Sequence, residues 1–202
     1  MTAAPTKDPK PENPLVSLIV PVYNEEEAIP RFRDRLIGAC HSWPFQIEVL
    51  FVDDGSSDNT LHHLRTLAID HDFIGFLSFS RNFGKETALS AGIDHASGDA
   101  AILMDVDLQH PLEYVPQFVQ AWRENGYDMV YGVRNTDNGE SALKRLSSRL
   151  YYRLFNALSH ASIPESAGDF RLLDRRVIEV IKTLPERNRF MKGLYGWVGF
   201  RS

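Results

Sequence analysis

The chain has 202 residues, 43% hydrophobic, 11% aromatic and 24% charged, enough apolar content to bury one domain's core and too much for an intrinsically disordered protein. Its 22 Lys and Arg against 27 Asp and Glu give a formal charge of -5, which excludes the basic footprint of a general nucleic-acid binder, so no nucleic-acid partner is expected and an anionic ligand must meet a local basic patch. The single cysteine, Cys40, excludes an internal disulfide and a cysteine metal knuckle, and makes a reducing, cytoplasmic setting the default.

Residues 1–14 are rich in Pro, Lys and Asp and read as a disordered N-terminal tail. Beyond them, apolar runs predict strands over 15–22, 47–52, 74–79, 100–104 and 128–131. Amphipathic stretches predict helices over 25–41, 58–70, 85–96 and 111–124. Asn24 with Glu25 are cap candidates for the first helix, Ser56 and Ser57 for the second, and Pro111 opens the fourth. This rhythm predicts an α/β fold, a mostly parallel central sheet with helices on both faces, in one domain over residues 15–202. A further helix over 141–160 would carry Lys144, Arg145, Arg149 and Arg153 among Leu143, Leu146, Leu150, Tyr151, Leu154 and Phe155. Such a rod suits a membrane surface, and equally a core-packed helix with solvated arginines. No stretch reaches the roughly 18 apolar residues of a membrane span, so the chain reads as soluble. The apolar run 194–200, with no helix stop after it, reads as the point where a longer protein continues.

In a doubly wound sheet, ligands sit beyond the carboxyl ends of the strands. Three clusters fall at such ends: Pro21-Val22-Tyr23-Asn24-Glu25, Val52-Asp53-Asp54-Gly55-Ser56 and Met104-Asp105-Val106-Asp107-Leu108-Gln109. No G-x-G-x-x-G follows the first strand and no G-x-x-x-x-G-K-[ST] occurs, which removes the Rossmann dinucleotide and P-loop readings. Asp105 and Asp107, two residues apart where a buried strand runs out, offer hard oxygen ligands on one side of a tight turn, with Gln109 adding a carbonyl oxygen. Such a set suits Mg²⁺ or Mn²⁺ bridging a diphosphate, although a D-x-D alone can also cap a helix. Asp53 and Asp54 could accept from a base or ribose, or form an Asx turn into the next helix, and Gly55 permits close backbone approach. Tyr23 could stack on a base. The seven histidines lack ligand spacing and are assigned no role.

Four motifs in order carry a resemblance: Ile19-Val20-Pro21-Val22-Tyr23-Asn24-Glu25, Val52-Asp53-Asp54-Gly55-Ser56-Ser57-Asp58, Ser80-Arg81-Asn82-Phe83-Gly84-Lys85 and Met104-Asp105-Val106-Asp107-Leu108-Gln109-His110-Pro111. The chain resembles glycosyltransferase family 2, and within it the polyprenyl-phosphate branch that includes dolichol-phosphate mannosyltransferases and bactoprenol glucosyltransferases. Residues 167–174 and 185–193 are similar to the bactoprenol members. The resemblance implies a GT-A nucleotide-sugar fold, a nucleoside diphosphate sugar donor of the UDP-glucose kind, a polyprenyl phosphate acceptor, and work at the cytoplasmic face of a membrane. It places Pro21, Tyr23, Asn24, Glu25, Asp53 and Asp54 around the nucleoside, Asp105, Asp107 and Gln109 on the metal, and Arg81 and Lys85 as secondary cations near the donor.

With donor and acceptor granted, attack from the opposite face inverts the anomeric carbon. A lipid monophosphate is already an anion near neutral pH, so no catalytic base is named. Arg134, Lys144, Arg145 and Ser148 are the candidates to grip that phosphate, and Asp169, with Arg171, could face the reacting sugar or equally form a salt-bridged strand end. The family's further basic segment and C-terminal membrane helices are expected outside this sequence, and homo-oligomerisation is left open. The competing readings are a family 2 transferase with a sugar-hydroxyl acceptor, for which Asp169 would be the base, and a non-catalytic nucleotide-sugar-binding scaffold.

Overall fold

The computed structural model describes residues 9–109, 111–133, 167–184 and 191–202. The strand β1 (Leu15–Val22) is apolar at almost every position because it lies mid-sheet with both faces covered. Val16, Leu18, Val20 and Val22 point to one side, toward α1 (Ala28–Cys40), α2 (Thr60–Asp70) and α4 (Tyr114–Glu124). Ile19 points to the other, toward α3 (Lys85–His95), α5 (Arg175–Thr183) and α6 (Met191–Trp197). The remaining strands are β2 (Gln46–Asp53), β3 (Ile74–Ser78), β4 (Ala100–Leu103), β5 (Met129–Val133) and β6 (Ala167–Asp174). They form one six-stranded sheet in the order β3-β2-β1-β4-β6-β5. β1, β2, β3 and β4 pair in parallel, whereas β6 inserts antiparallel between β4 and β5.

The expected α/β sheet with helices on both faces is therefore present, and β6, α5 and α6 are additions to the expected elements. Several caps differ from expectation. Neither Asn24 nor Glu25 caps α1 with its side chain: the Glu25 backbone carbonyl accepts from Ala28 and Ile29 instead. Ser56 and Ser57 do not cap α2, which starts after Asn59, with the Thr60 N–H on Asp58 Oδ1 at 2.9 Å. Pro111 sits a turn ahead of α4, its carbonyl accepting from the Tyr114 N–H. Of the expected N-terminal tail, Lys10 and Pro14 contact the domain: the Lys10 ammonium pairs with Asp174 and sits 5.0 Å from the Trp122 ring centroid, and the Pro14 carbonyl accepts from the Gln46 N–H at 3.0 Å. The basic helix expected over 141–160 lies outside the described residues. Among the described residues no helix is long and apolar enough to cross a membrane.

At the end of the sheet where the parallel strands begin, Glu48 ties three segments together. Its carboxylate accepts from the Ser17 and Ser97 hydroxyls, from the Ser97 N–H at 2.7 Å and from the Gly98 N–H at 3.3 Å. Burial alone would raise its pKa, but these hydrogen bonds outweigh it and hold the carboxyl below its ordinary value. A lowered folded-state pKa contributes stability that is complete above the unfolded value of about 4.3 and fades as pH falls through the folded one. Glu48→Gln is thus expected to lower stability by about 1–3 kcal/mol at pH 7 and to remove part of the loss that the wild type shows below roughly pH 4. Urea denaturation at pH 7 and pH 3.5 checks both statements, and equal losses at the two pH values would contradict them.

Candidate functional site

Two features of β1 open a crevice where the parallel strands end. Its pairing with β4 stops at Ile19 opposite Leu103, and two residues later comes Pro21, which has no N–H to continue the ladder. β2 and β4 flank β1 and their loops diverge from there, the arrangement in which open α/β sheets bind ligands.

The loop after β1 is fastened to the loop after β2. The Asn24 N–H donates to Ser56 Oγ at 2.9 Å, and the Asn24 side-chain oxygen accepts from the Ser57 N–H at 2.8 Å. The Glu25 N–H donates to Thr60 Oγ1 at 2.8 Å, and the Asn59 N–H to Glu26 Oε2 at 2.9 Å. Asn24 takes a left-handed φ of 54°, a conformation this residue type tolerates well. Its amide thus holds the loops together, while Tyr23 and Glu25 on either side line the crevice.

Asp53 and Asp54 are both buried but face different groups. Asp53 accepts from the Ser56 N–H three residues on at 3.0 Å and from Ser78 Oγ at 2.9 Å, so its carboxylate closes the loop after β2 and braces it against β3. Asp54 lines the crevice and accepts from the Phe83 and Gly84 N–H groups at 2.7 and 2.9 Å, which fixes the loop leading into α3. Gly55, at φ +72°, leaves room for that loop's backbone: a Cβ there would lie 2.4 Å from the Arg81 carbonyl carbon. Gly55→Ala is expected to cost about 1–3 kcal/mol and to displace residues 81–85. Chemical denaturation reads the first effect and nucleotide titration of the folded variant the second. Arg81 is exposed, with its guanidinium 4.5 Å from the Phe83 ring centroid, and does not line the crevice.

α3 lies close on β1 because Gly92 has no side chain: a Cβ there would meet Ile19 Cγ2 at 2.3 Å. This close contact brings Lys85, the first residue of α3, over the end of β4. Its ammonium bridges two carboxylates, Asp105 Oδ1 at 2.6 Å and Asp169 Oδ2 at 2.9 Å. Burial would lower the lysine pKa, but these hydrogen bonds more than compensate and keep it above its ordinary value. Asp107 stands two residues beyond Asp105, its Oδ1 accepting from the Gln109 N–H at 3.0 Å in a turn where Leu108 takes a φ of 60°.

The resulting cavity of about 330 Å³ is lined by Pro21, Tyr23, Glu25, Asp54, Asp105 and Asp107, together with Asn82, Gly84 and Lys85. It lies near the lower end of the size range of small-molecule sites. Its field is acidic: burial raises the Glu25 carboxyl pKa, and Asp107, Asp58 and Asp105 raise it further. Beneath Asp169, the buried Arg171 stacks on Tyr195, its guanidinium 4.0 Å from the ring centroid. Arg171 therefore packs toward α6 instead of toward the cavity, and burial pulls its pKa down. The Met191 N–H, donating to Glu86 Oε2 at 2.9 Å, ties the start of α6 to α3.

Of the residues singled out in the sequence, Pro21, Tyr23, Glu25, Asp54, Lys85, Asp105 and Asp107 meet at this cavity. Asp169 joins them through Lys85. Gln109 follows on the same turn. Arg134, Lys144, Arg145 and Ser148 lie outside the described residues. Asn82 was not singled out, and Asp54's hold on the 81–85 loop became visible only in space. Asn82 sits between Arg81 and Gly84 in a motif already recognised, and that was the signal available for it.

Comparison with known proteins agrees with this arrangement. The family model described as glycosyl transferase family 2 matches residues 17–182. The bactoprenol glucosyl transferase of Shigella phage SfV is 48% identical over 184 residues, 91% of this chain and 60% of the relative. The prophage bactoprenol glucosyl transferase homolog of Escherichia coli strain K12 is 47% identical over the same shares. This chain thus spans about 60% of the length of these curated relatives. In the same fold is a Pyrobaculum calidifontis mannosyltransferase solved in complex with GDP-Man and Mn²⁺, with a TM-score of 0.61 at 22% identity over 88% of this chain and 50% of that one. So is the Mycobacterium tuberculosis glucosyl-3-phosphoglycerate synthase in complex with Mn²⁺, uridine diphosphate and glucosyl-3-phosphoglycerate, with a TM-score of 0.59 at 21% identity over 81% and 58% of the two chains. A GT-A sheet whose crevice is built from all four motifs, together with a family match over most of its length, makes this chain a member of glycosyltransferase family 2.

Proposed function

We propose that the protein is an inverting glycosyltransferase that moves a sugar, glucose in the first instance, from a nucleoside diphosphate sugar to a polyprenyl phosphate at the cytoplasmic face of a membrane. One observation carries the donor half: the cavity at the strand ends is lined by Glu25, Asp54, Asp105 and Asp107 against a single lining cation among the described residues, Lys85. Such a wall repels a diphosphate unless a divalent cation comes with it. The identity to bactoprenol glucosyl transferases supports the acceptor half.

The donor set fits such a cation. Asp105 and Asp107 are hard oxygen ligands, and Asp105 already attracts a cationic group at 2.6 Å. Among the described residues no three His, Cys, Asp or Glu side chains group so as to hold a metal ion by themselves, so an ion at Asp105 and Asp107 would need further ligands such as donor phosphates or water. Asp105, Asp107 and Gln109 would hold Mg²⁺ or Mn²⁺, and the bound ion would offset charge on the departing nucleoside diphosphate. Pro21, Tyr23, Glu25 and Asp54 shape the nucleoside end, with Asn24 and Asp53 bracing the loops that carry them. The acceptor phosphate attacks as an anion, so these residues position and exclude water without removing a proton. Arg134, Lys144, Arg145 and Ser148 are assigned to grip that phosphate. The sugar-hydroxyl alternative would need Asp169 as a free base, and its carboxylate already accepts from the Lys85 ammonium.

The test is calorimetric titration of the full chain with UDP and GDP, each with Mn²⁺ and with chelator, followed by transfer from UDP-glucose to detergent-dispersed polyprenyl phosphate. Metal-dependent binding of UDP and glucosylation of the lipid phosphate are expected. Binding that survives chelation would overturn the donor-site assignment, and transfer only to a sugar hydroxyl would overturn the acceptor.

A further inference from the structure

Lys85 does more than line the donor site. Its ammonium shares itself between Asp105 at 2.6 Å and Asp169 at 2.9 Å, and it is the cation among the described residues of a cavity that Glu25 and Asp107 also line. A charge-assisted contact of 2.6 Å places the ammonium against the carboxylate that an incoming divalent ion would also use, and two cations on one carboxylate repel. Lys85 has freedom to yield. Its backbone is held through Gly84, whose N–H donates to Asp54, but its side chain is 42% exposed and can swing on its four-carbon stem. Asp169 keeps the ammonium paired when Asp105 is taken away.

We propose that Lys85 is the resident counter-cation of the metal site: it holds Asp105 in the place of the divalent ion, which enters only together with a nucleoside diphosphate whose phosphates, with Asp169, take over the ammonium. The proposal rests on the donor-site reading above and adds an order to it. Metal alone binds weakly, nucleotide and metal each raise the other's affinity by the same factor, and the acidic wall is neutralised between donors without an ion.

The experiment is Mn²⁺ titration of the full chain, with the free ion read by electron paramagnetic resonance, for wild type, Lys85→Met and Lys85→Arg, alone and with saturating UDP or GDP. Lys85→Met is expected to bind Mn²⁺ alone about tenfold more tightly than the wild type, because the competing ammonium is gone, and to show a smaller nucleotide-induced gain. Lys85→Arg keeps the charge and is expected to behave like the wild type. If Lys85 were only a strut between α3 and β6, Lys85→Met would loosen the carboxylates, and Mn²⁺ affinity would stay the same or fall. That outcome overturns the proposal while leaving the donor site intact, provided the wild type retains Mn²⁺ with nucleotide. If the wild type retains no Mn²⁺ with either nucleotide, the donor-site reading fails and this proposal fails with it. Circular dichroism and urea midpoints of the variants separate either result from misfolding.

Discussion

Asp105→Asn is expected to reduce metal-dependent nucleotide binding at least about 100-fold while leaving the fold intact, because the position gives the site a charge and the core nothing. The carboxylate is about a third exposed, its described side-chain partner is the half-exposed Lys85, and its charge is one of those that raise the Glu25 pKa. Removing that charge relieves its repulsion of Glu25 but weakens the ion pair with Lys85, which keeps Asp169, so urea stability should stay within about 1 kcal/mol of the wild type. Calorimetry with Mn²⁺ and UDP reads the binding loss, and denaturation curves read the stability. A variant that bound the metal-nucleotide pair as the wild type does would remove Asp105 from the site. Asp107→Asn should behave similarly but with a local cost, since Asp107 also accepts from the Gln109 N–H and shapes the turn.

Asp174→Ala is expected to do the reverse, costing about 3–5 kcal/mol of stability without touching the site chemistry. Asp174 ends β6 opposite Ala100, at the pole of the sheet away from the cavity. Its Oδ2 accepts from the Trp122 indole N–H at 2.6 Å and pairs with the Lys10 ammonium, while its Oδ1 caps α5 through the Arg176 N–H at 2.9 Å. Alanine would leave a buried indole donor without its acceptor, the Lys10 ammonium without its counter-charge and a helix without its cap, three losses at one point. Thermal unfolding should move down by roughly 6–20 °C, and Asp174→Asn, which retains an acceptor oxygen, by less than half of that. The nucleotide affinity of the folded fraction should be unchanged. A loss under about 1 kcal/mol would show that these partners find alternatives.

The two aspartates show where the chain was legible. Asp105 was read correctly as a strand-end residue because the all-apolar Ala100 to Met104 run announces a buried strand and a charged residue closing it must emerge at its end. Asp174 carries a comparable local signal, an acidic cap ahead of Val177, Ile178 and Ile181 at helical spacing, yet α5 was not anticipated. β6 was harder. Its sequence Ala-Gly-Asp-Phe-Arg-Leu-Leu-Asp mixes charges into a short apolar run, and only insertion between β4 and β5 makes Phe170 and Leu172 core on one face. Arg171 reads in sequence as either a sugar-facing residue or part of a salt-bridged strand end. Its burial against Tyr195 follows from the strand alternation of β6 and the position of α6, neither of which a local pattern contains. Asn24 and the serines after β2 have the composition of helix caps, but long-range hydrogen bonds between the two loops claim their side chains first.

The sequence by itself determined the layer order and the family, because continuous apolar runs, helical hydrophobic patterns and four short motifs are local quantities that survive without coordinates. It also determined the candidate ligands, since a carboxylate at the end of a buried strand has little choice of where to emerge. The tertiary structure alone decided which of these groups face one another: that Lys85 spans Asp105 and Asp169, that Asp54 holds the loop bearing Lys85, and that Arg171 packs on Tyr195. Those pairings join residues as far apart as Lys85 and Asp169, and they depend on Gly92 letting α3 settle onto β1 and on β6 running antiparallel beside β4. Charge and spacing along a chain state what a residue can do, and the packing of strands and helices sets which partner is close enough for it to act.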